Sequence, residues 1–205
     1  MLKYFILGFI VSSSFFIRSQ SDSMNGLKVG DKAPFFTAND YNGAIVDLSE
    51  SIKEKKVVLV FYRGAWCPHC NKHMSQLQDG FKMIEAKGAI VIAVSPELDE
   101  SIEKMVSKTD ASFHIISDKS YVIMEKYGVS FKVNSTTLAK YKLIGVNLEK
   151  ANGNADYILP VPATIIINQN GVIVDLSASR VTYLGSNSAD TVNDTEWFLG
   201  TQADD

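Results

Sequence analysis

The sequence predicts an α/β fold, a central sheet flanked by helices with an N-terminal hairpin in front of it, and three observations carry that expectation. Two apolar runs rich in valine and isoleucine, residues 57–62 and 89–95, have the length and composition of strands buried on both faces. Each is followed by a segment whose apolar residues recur at helical spacing. Glycine, proline and asparagine punctuate the intervals. Strands and helices alternating at this period form a parallel-rich sheet covered by helices on both sides.

The 205 residues, 46% of them hydrophobic, suffice for one well-packed domain and are few for two. The chain opens with Met1-Leu-Lys3, an apolar stretch over residues 4–17, then Arg18 and the small polar residues Ser19-Gln-Ser21. A basic end, a short apolar core and a small-residue exit make a secretory signal, and the core is short for a bilayer span. The expected organisation is a signal peptide at 1–21, a folded domain at 22–176 and a polar acidic tail at 177–205. The product is expected in a periplasm or cell envelope, without stable membrane insertion after cleavage. Loss of the signal removes Lys3 and Arg18 and no acid, which moves the net charge from −3 to −5. The remaining lysines are scattered, and no basic face for nucleic acid is left.

Residues 21–48 hold Gly30-Asp31, Pro34, Asn39-Asp40 and Asn42-Gly43 between short apolar pieces. They read as the hairpin, with Asn42-Gly43 as its turn. A polar stretch follows Leu48, and Lys53-Glu-Lys-Lys56 is the solvated entry to the first buried strand. After that strand the pattern predicts one helix over residues 68–87, with Met74, Leu77, Phe81 and Ile84 on its inner face and Gly88 as its stop. The strand at 89–95 ends at Pro96. A helix is expected from Glu97, with Leu98, Ile102 and Met105 inward. A short strand at 113–116 leads to a helix capped by Ser117-Asp118 and stopped at Gly128. Residues 129–159 read as an irregular insertion around Tyr141 with one short helix. Residues 164–168, a turn at Asn170-Gly171 and residues 172–176 form a closing hairpin.

The only two cysteines stand between the first buried strand and its helix, in Arg63-Gly-Ala-Trp66-Cys67-Pro-His69-Cys70. Pro68 suits the first helical position, where a missing N–H costs nothing, so Cys67 falls at the helix N-terminus and Cys70 about one turn inside. Unpaired N–H groups and the helix dipole favour a thiolate on Cys67, whose pKa in such motifs falls to roughly 3.5–7.5 from about 8.5. Cys70 is then the resolving thiol. A structural disulfide across so short a loop would constrain the unfolded chain little. A zinc site from Cys67, Cys70 and His73 lacks an obvious fourth ligand, His69 lying between the cysteines and His114 far along the chain. A copper-carrying protein using the thiolates and a histidine is the rival of another class. No cofactor and no resident metal is expected for the redox reading.

At these residues the chain resembles the thioredoxin superfamily, and within it the peroxiredoxin-like branch of the AhpC/TSA family. Val29-Gly-Asp-Lys-Ala-Pro-Phe-Phe, Phe61-Tyr-Arg-Gly-Ala-Trp-Cys-Pro-His-Cys and Leu159-Pro-Val-Pro-Ala-Thr fall in the family's order. The resemblance implies a thioredoxin-like fold with a mixed sheet over residues 22–176, and a redox-active centre at Cys67 and Cys70. It also implies a thiol or disulfide partner protein, such as a thioredoxin-like reductant, and a peroxide or disulfide substrate. It makes Trp66, Val161 and Pro162 substrate-facing, with Pro162 matching the cis-proline of thioredoxins, and Arg63 and His69 supporting. Cys-Pro-His-Cys is also the tetrapeptide of the DsbA oxidases.

The peroxiredoxin pattern of a proline, a hydroxyl residue and a cysteine would make Cys70 peroxidatic. Here Arg63 replaces the proline, Cys67 the hydroxyl residue, and Pro162 the family's arginine before the strand at 164. The resemblance therefore implies an exported thiol–disulfide oxidoreductase with a protein-thiol or antioxidant role. A thiol-dependent peroxidase for hydrogen or alkyl peroxides is the alternative.

Overall fold

The computed structural model describes residues 27–178. The expected signal and all but the first two residues of the expected tail lie outside the described residues. A hairpin of β1 (Thr37–Asn39) and β2 (Ile45–Asp47) comes first. Its turn is held by the Asp40 carboxylate, which accepts from the N–H of Asn42 and of Ala44, both at 2.9 Å. The polar stretch after Leu48 forms a helix, α1 (Leu48–Glu54), that the periodicity does not reveal because only Leu48 and Ile52 face inward. Asp47 caps it, accepting from Ser49 N–H at 2.8 Å.

The main sheet has the order β5-β4-β3-β8-β9. Strands β3 (Lys56–Phe61), β4 (Ala89–Ser95) and β5 (His114–Ser117) are parallel, while β8 (Ala163–Ile167) and β9 (Ile173–Ala178) complete it antiparallel. The sheet is thus mixed, and β9 reaches two residues past the expected domain end. Central β3 is buried on both faces, as its composition requires. Val57, Leu59 and Phe61 join Phe36, Leu48, Met124 and Tyr127 on one side, and Val58, Val60 and Tyr62 join Met74, Leu77, Ile102 and Met105 on the other.

The helix expected at 68–87 is two, α2 (Pro68–Asp79) and α3 (Phe81–Ala86), broken at Gly80. Glycine is a poor interior helix residue, and the chain uses it to turn toward β4. Helix α4 (Asp99–Thr109) starts two residues later than expected, with Leu98 at its N-cap and Glu97 outside it. Helix α5 (Val122–Lys126) also starts late because Tyr121 takes a left-handed conformation, yet Asp118 still accepts from Met124 N–H at 2.9 Å.

The largest correction concerns residues 129–159. They hold β6 (Ser130–Lys132) paired with β7 (Ile158–Pro160), and two helices, α6 (Ser135–Leu143) and α7 (Leu148–Asn152). Asn134 and Asn147, which read as loop residues, are their N-caps, accepting from Thr137 N–H at 2.8 Å and Lys150 N–H at 2.9 Å. Val133, Tyr141, Leu148 and Leu159 make a small core of this unit. Among the described residues no helix is long and apolar enough to cross a membrane.

Candidate active site

The two cysteines sit at the carboxyl end of β3, where open α/β sheets place their chemistry. Cys67 is the N-cap of α2, and its Sγ accepts from the Cys70 N–H at 3.3 Å. Pro68 occupies the first turn as expected. The sulfurs are free thiols 2.7 Å apart, with Cys70 donating to Cys67. The Cys70 thiol is pushed well above its ordinary pKa, first by that hydrogen bond and then by burial and the nearby charge of Cys67, against an opposing pull from the N–H groups of Arg63 and Gly64. The proton therefore stays on Cys70 and the anion belongs on Cys67. Both sulfurs are buried, at 2% and 6% exposure. An attacking Cys67 thus requires the residues around it to part.

Arg63, expected in a supporting role, is buried at 6% exposure. Its guanidinium lies 6.0 Å from the Phe131 ring centroid and hydrogen-bonds the Tyr141 hydroxyl. Burial raises the Tyr141 pKa, and the adjacent Arg63 charge opposes that rise. Trp66 meets Tyr141 edge-on, with ring centroids 5.2 Å apart. The segment read as irregular therefore supplies Phe131 and Tyr141 to a wall beside the cysteines.

Val161 and Pro162 link β7 to β8 and are half-buried. Extending the β3–β8 register sets Pro162 opposite Tyr62 and Val161 opposite Arg63, so the expected docking loop does border the site. The Val161–Pro162 peptide is trans, which corrects the cis-proline expectation. Trans is the lower-energy form for the bond, and here Val161 N–H reaches Val129 O at 2.7 Å as the chain leaves the β6–β7 ribbon. His69 is exposed on the first turn of α2, and His73 lies one turn further on. His114 begins β5 and is engaged by Asp40 at 2.8 Å, away from the sulfurs. Among the described residues no group of three or more histidines, cysteines and acids is placed to hold a metal ion.

A model of the AhpC/TSA family matches residues 29–176. The chain belongs to the AhpC/TSA family. The putative peroxiredoxin bcp of Haemophilus influenzae is 31% identical over 106 residues, 52% of this chain and 68% of that protein. Thiol-disulfide oxidoreductase ResA of Bacillus thuringiensis is 29% identical over 124 residues, 60% of this chain and 68% of that one. Among solved structures, peroxidoxin BcpB of Mycobacterium tuberculosis matches with a TM-score of 0.61 at 20% identity, covering 75% of this chain and 87% of its own. A putative thiol:disulfide interchange protein DsbE of Chlorobium tepidum matches with a TM-score of 0.52 at 22% identity, covering 75% and 86%. These two establish the thioredoxin-like fold. With the family and the paired thiols in place, the protein is a thiol-dependent oxidoreductase or peroxidase.

In this AhpC/TSA domain one acid was missed by sequence reasoning. Glu97, taken for a helix-start acid, is 1% exposed and points back under the loop that carries the cysteines. Its Oε2 accepts from Ala65 N–H at 2.8 Å. The Ala65 carbonyl is held in turn by Lys108 Nζ at 3.2 Å and Asn71 Nδ2 at 3.1 Å. Burial first, then the charge of Cys67, push the Glu97 carboxyl up to about 7, against the opposing pull of the Ala65 N–H and then of Lys108 and Lys104. Gly64 makes the approach possible: at φ +148°, a Cβ there would stand 2.4 Å from Glu97 Oε1 and 2.6 Å from Trp66 Nε1. The one available signal was position, since Ser95-Pro96-Glu97 ends the strand beside β3.

Proposed function

We propose that the protein is an exported thiol–disulfide oxidoreductase whose Cys67–Cys70 pair exchanges with a protein or small-molecule disulfide. The observation that carries this reading is the unequal pair itself, an N-capping Cys67 that accepts from a Cys70 thiol held protonated. The Cys67 thiolate attacks the substrate disulfide, one substrate sulfur leaves as thiolate, and a mixed disulfide forms. Cys70 then loses its proton and attacks the Cys67 sulfur, the second substrate sulfur leaves, and two electrons have passed from enzyme to substrate. Trp66 and the Val161-Pro162 loop border the place where a partner would dock. A thioredoxin-like reductant would return the pair to the dithiol, and the ResA-like relatives support exchange of this kind.

Reduction of hydrogen or alkyl peroxides is the second reading, and Arg63 favours it. The hydroxyl residue and the arginine of the peroxiredoxin pattern are replaced by Cys67 and Pro162, yet the buried Arg63 guanidinium is a cation at the same site. The bcp-like relatives are named for that chemistry. Stopped-flow rates of the reduced protein with a disulfide and with hydrogen peroxide at equal concentration separate the two. The disulfide is expected to react faster; a tenfold advantage for peroxide, worth about 1.4 kcal/mol in the transition state, overturns the first reading. Export is tested by the intact mass of the native product, expected to begin near Asp22.

A further inference from the structure

We infer that Glu97 stores the second proton of the reduced site and exchanges it with the Cys67–Cys70 pair at each turnover, which rests on the reading above that the pair cycles between dithiol and disulfide. Geometry carries this first. Glu97 is the only buried glutamate among the described residues, and its carboxyl reaches the backbone two residues before Cys67. Its second oxygen and the Trp66 indole N–H both border the one small space left by the absent Gly64 side chain. That N–H is a buried donor with no hydrogen-bond partner among the described residues. A carboxylate can accept it and a neutral acid can release it, so the protonation state of Glu97 is felt by the aromatic beside the sulfurs.

Charge fixes the direction of the transfer. The groups facing Glu97 are Cys67 at the N-cap of α2, Tyr62 beyond the end of β3, and Lys104 and Lys108 on α4. Lys108 spends a hydrogen bond on the Ala65 carbonyl, and neither lysine forms an ion pair with Glu97 among the described contacts. Two anions, Cys67 thiolate and Glu97 carboxylate, are costly together in so dry a place, and one proton between them resolves the conflict. In the reduced resting state Cys67 is the anion and Glu97 the neutral acid. When Cys67 attacks, its charge leaves with the departing substrate thiolate, and the Glu97 proton follows to make that thiol. Glu97, now ionised, takes the proton of Cys70 as Cys70 attacks the mixed disulfide, and passes it to the second leaving thiolate. The Tyr62 hydroxyl is buried and feels the charge of both Glu97 and Cys70. One disulfide becomes two thiols, the enzyme gives two electrons and two protons, and Glu97 ends ionised beside a neutral disulfide.

The test is redox-difference infrared spectroscopy of the full chain near neutral pH, with and without 13C-labelled glutamate, beside the pH dependence of the midpoint potential. Expected is a protonated-carboxyl band in the reduced form that disappears on oxidation, moves with the glutamate label and is missing in Glu97→Gln. Around neutral pH the wild-type potential should follow two protons per two electrons and the variant one. A wild-type spectrum with no label-sensitive carboxyl band between the two states overturns the inference, and needs no variant to fold. An unchanged pH slope in a folded Glu97→Gln protein does the same. Absence of any reversible dithiol–disulfide couple would instead defeat the oxidoreductase reading from which the inference starts.

Discussion

Two neighbouring strand-to-helix junctions divide the work of this site. Strands β3 and β4 run parallel in register, with Phe61 level with Val94, and both release the chain at the same edge of the sheet. The first junction ends in a side-chain cap: the Cys67 sulfur accepts a helix N–H, and the reactive group stands at the positive end of a twelve-residue helix. The second has no such cap. Leu98 opens α4 without a side-chain hydrogen bond, Asp99 and Glu100 face the helix end, and Glu97, just before them, folds back beneath its neighbour. One junction presents its charge to a helix, and the other buries an acid under the first. Adjacent parallel strands thus allow a nucleophile and a buried acid to meet although thirty residues separate Cys67 from Glu97.

The sharpest break of that comparison falls on the first junction. Replacing Cys67 with serine removes the only sulfur at the helix end, so turnover should fall to background, whereas Cys70→Ser should accumulate a mixed disulfide through Cys67. Intact-mass measurement after exposure to a model disulfide checks both. Trapping through Cys70 in the Cys67→Ser protein, at the rate of the other variant, would reverse the assignment of nucleophile and resolver.

The contact between the junctions is broken at Gly64. A methyl group there meets the Glu97 carboxylate and the Trp66 indole at under 3 Å, on a backbone conformation that side chains rarely adopt. Gly64→Ala should cost about 3 kcal/mol, combining overpacking with backbone strain. Urea unfolding measures it, and a loss under about 1 kcal/mol would mean that the two junctions are not packed as described.

How much of this was legible follows from distance along the chain. The Cys67-Pro-His-Cys70 run was readable because a strand end, a helix start and the thiols share one stretch. The flanking strands were readable because their residues are apolar without a break. Glu97 was not, since an acid before a helix normally faces the helix dipole in water, and only the neighbouring loop hides this one. Phe131 and Tyr141 come from a segment whose asparagines read as loop, and their place beside Trp66 and Arg63 is a product of tertiary packing.

The second junction is sharpened by pH. Folding raises the Glu97 carboxyl from an unfolded value of about 4.3 to about 7, so the native state binds the proton more tightly than the unfolded chain. Stability contributed by this group is full below about pH 4.3, falls as pH rises toward 7, and is level above that. Glu97→Gln keeps an acceptor for Ala65 N–H and removes the titration. Relative to wild type it should therefore gain with rising pH, by about 4 kcal/mol between the two plateaus, read from urea midpoints across the range. A difference that does not change with pH would mean that folding leaves the Glu97 carboxyl at its unfolded value.

The smallest effect separates strain at the cysteine loop from the helix behind it. Gly64 and Gly80 bracket the first junction and its helix, but they differ in what a side chain would meet. Gly80 has the helical conformation φ −85°, ψ −4°, and a Cβ there approaches nothing closer than the Gln76 carbonyl oxygen at 3.5 Å, an ordinary contact. Alanine fits that position and reduces the freedom of the unfolded chain, so Gly80→Ala should stabilise the fold by roughly 0.4–1 kcal/mol. It also tests why the predicted single helix is two. If the break between α2 and α3 comes only from glycine's poor helix propensity, the alanine variant gains stability and its cysteines keep their alkylation rate. If the break is needed to aim the chain into β4, alanine loses stability at the helix end while leaving the sulfurs untouched, since Gly80 lies a full helix away from Cys67. Urea midpoints and the alkylation rate of the same two proteins distinguish these outcomes, and a change in alkylation would show that α2 transmits strain along its length to the site.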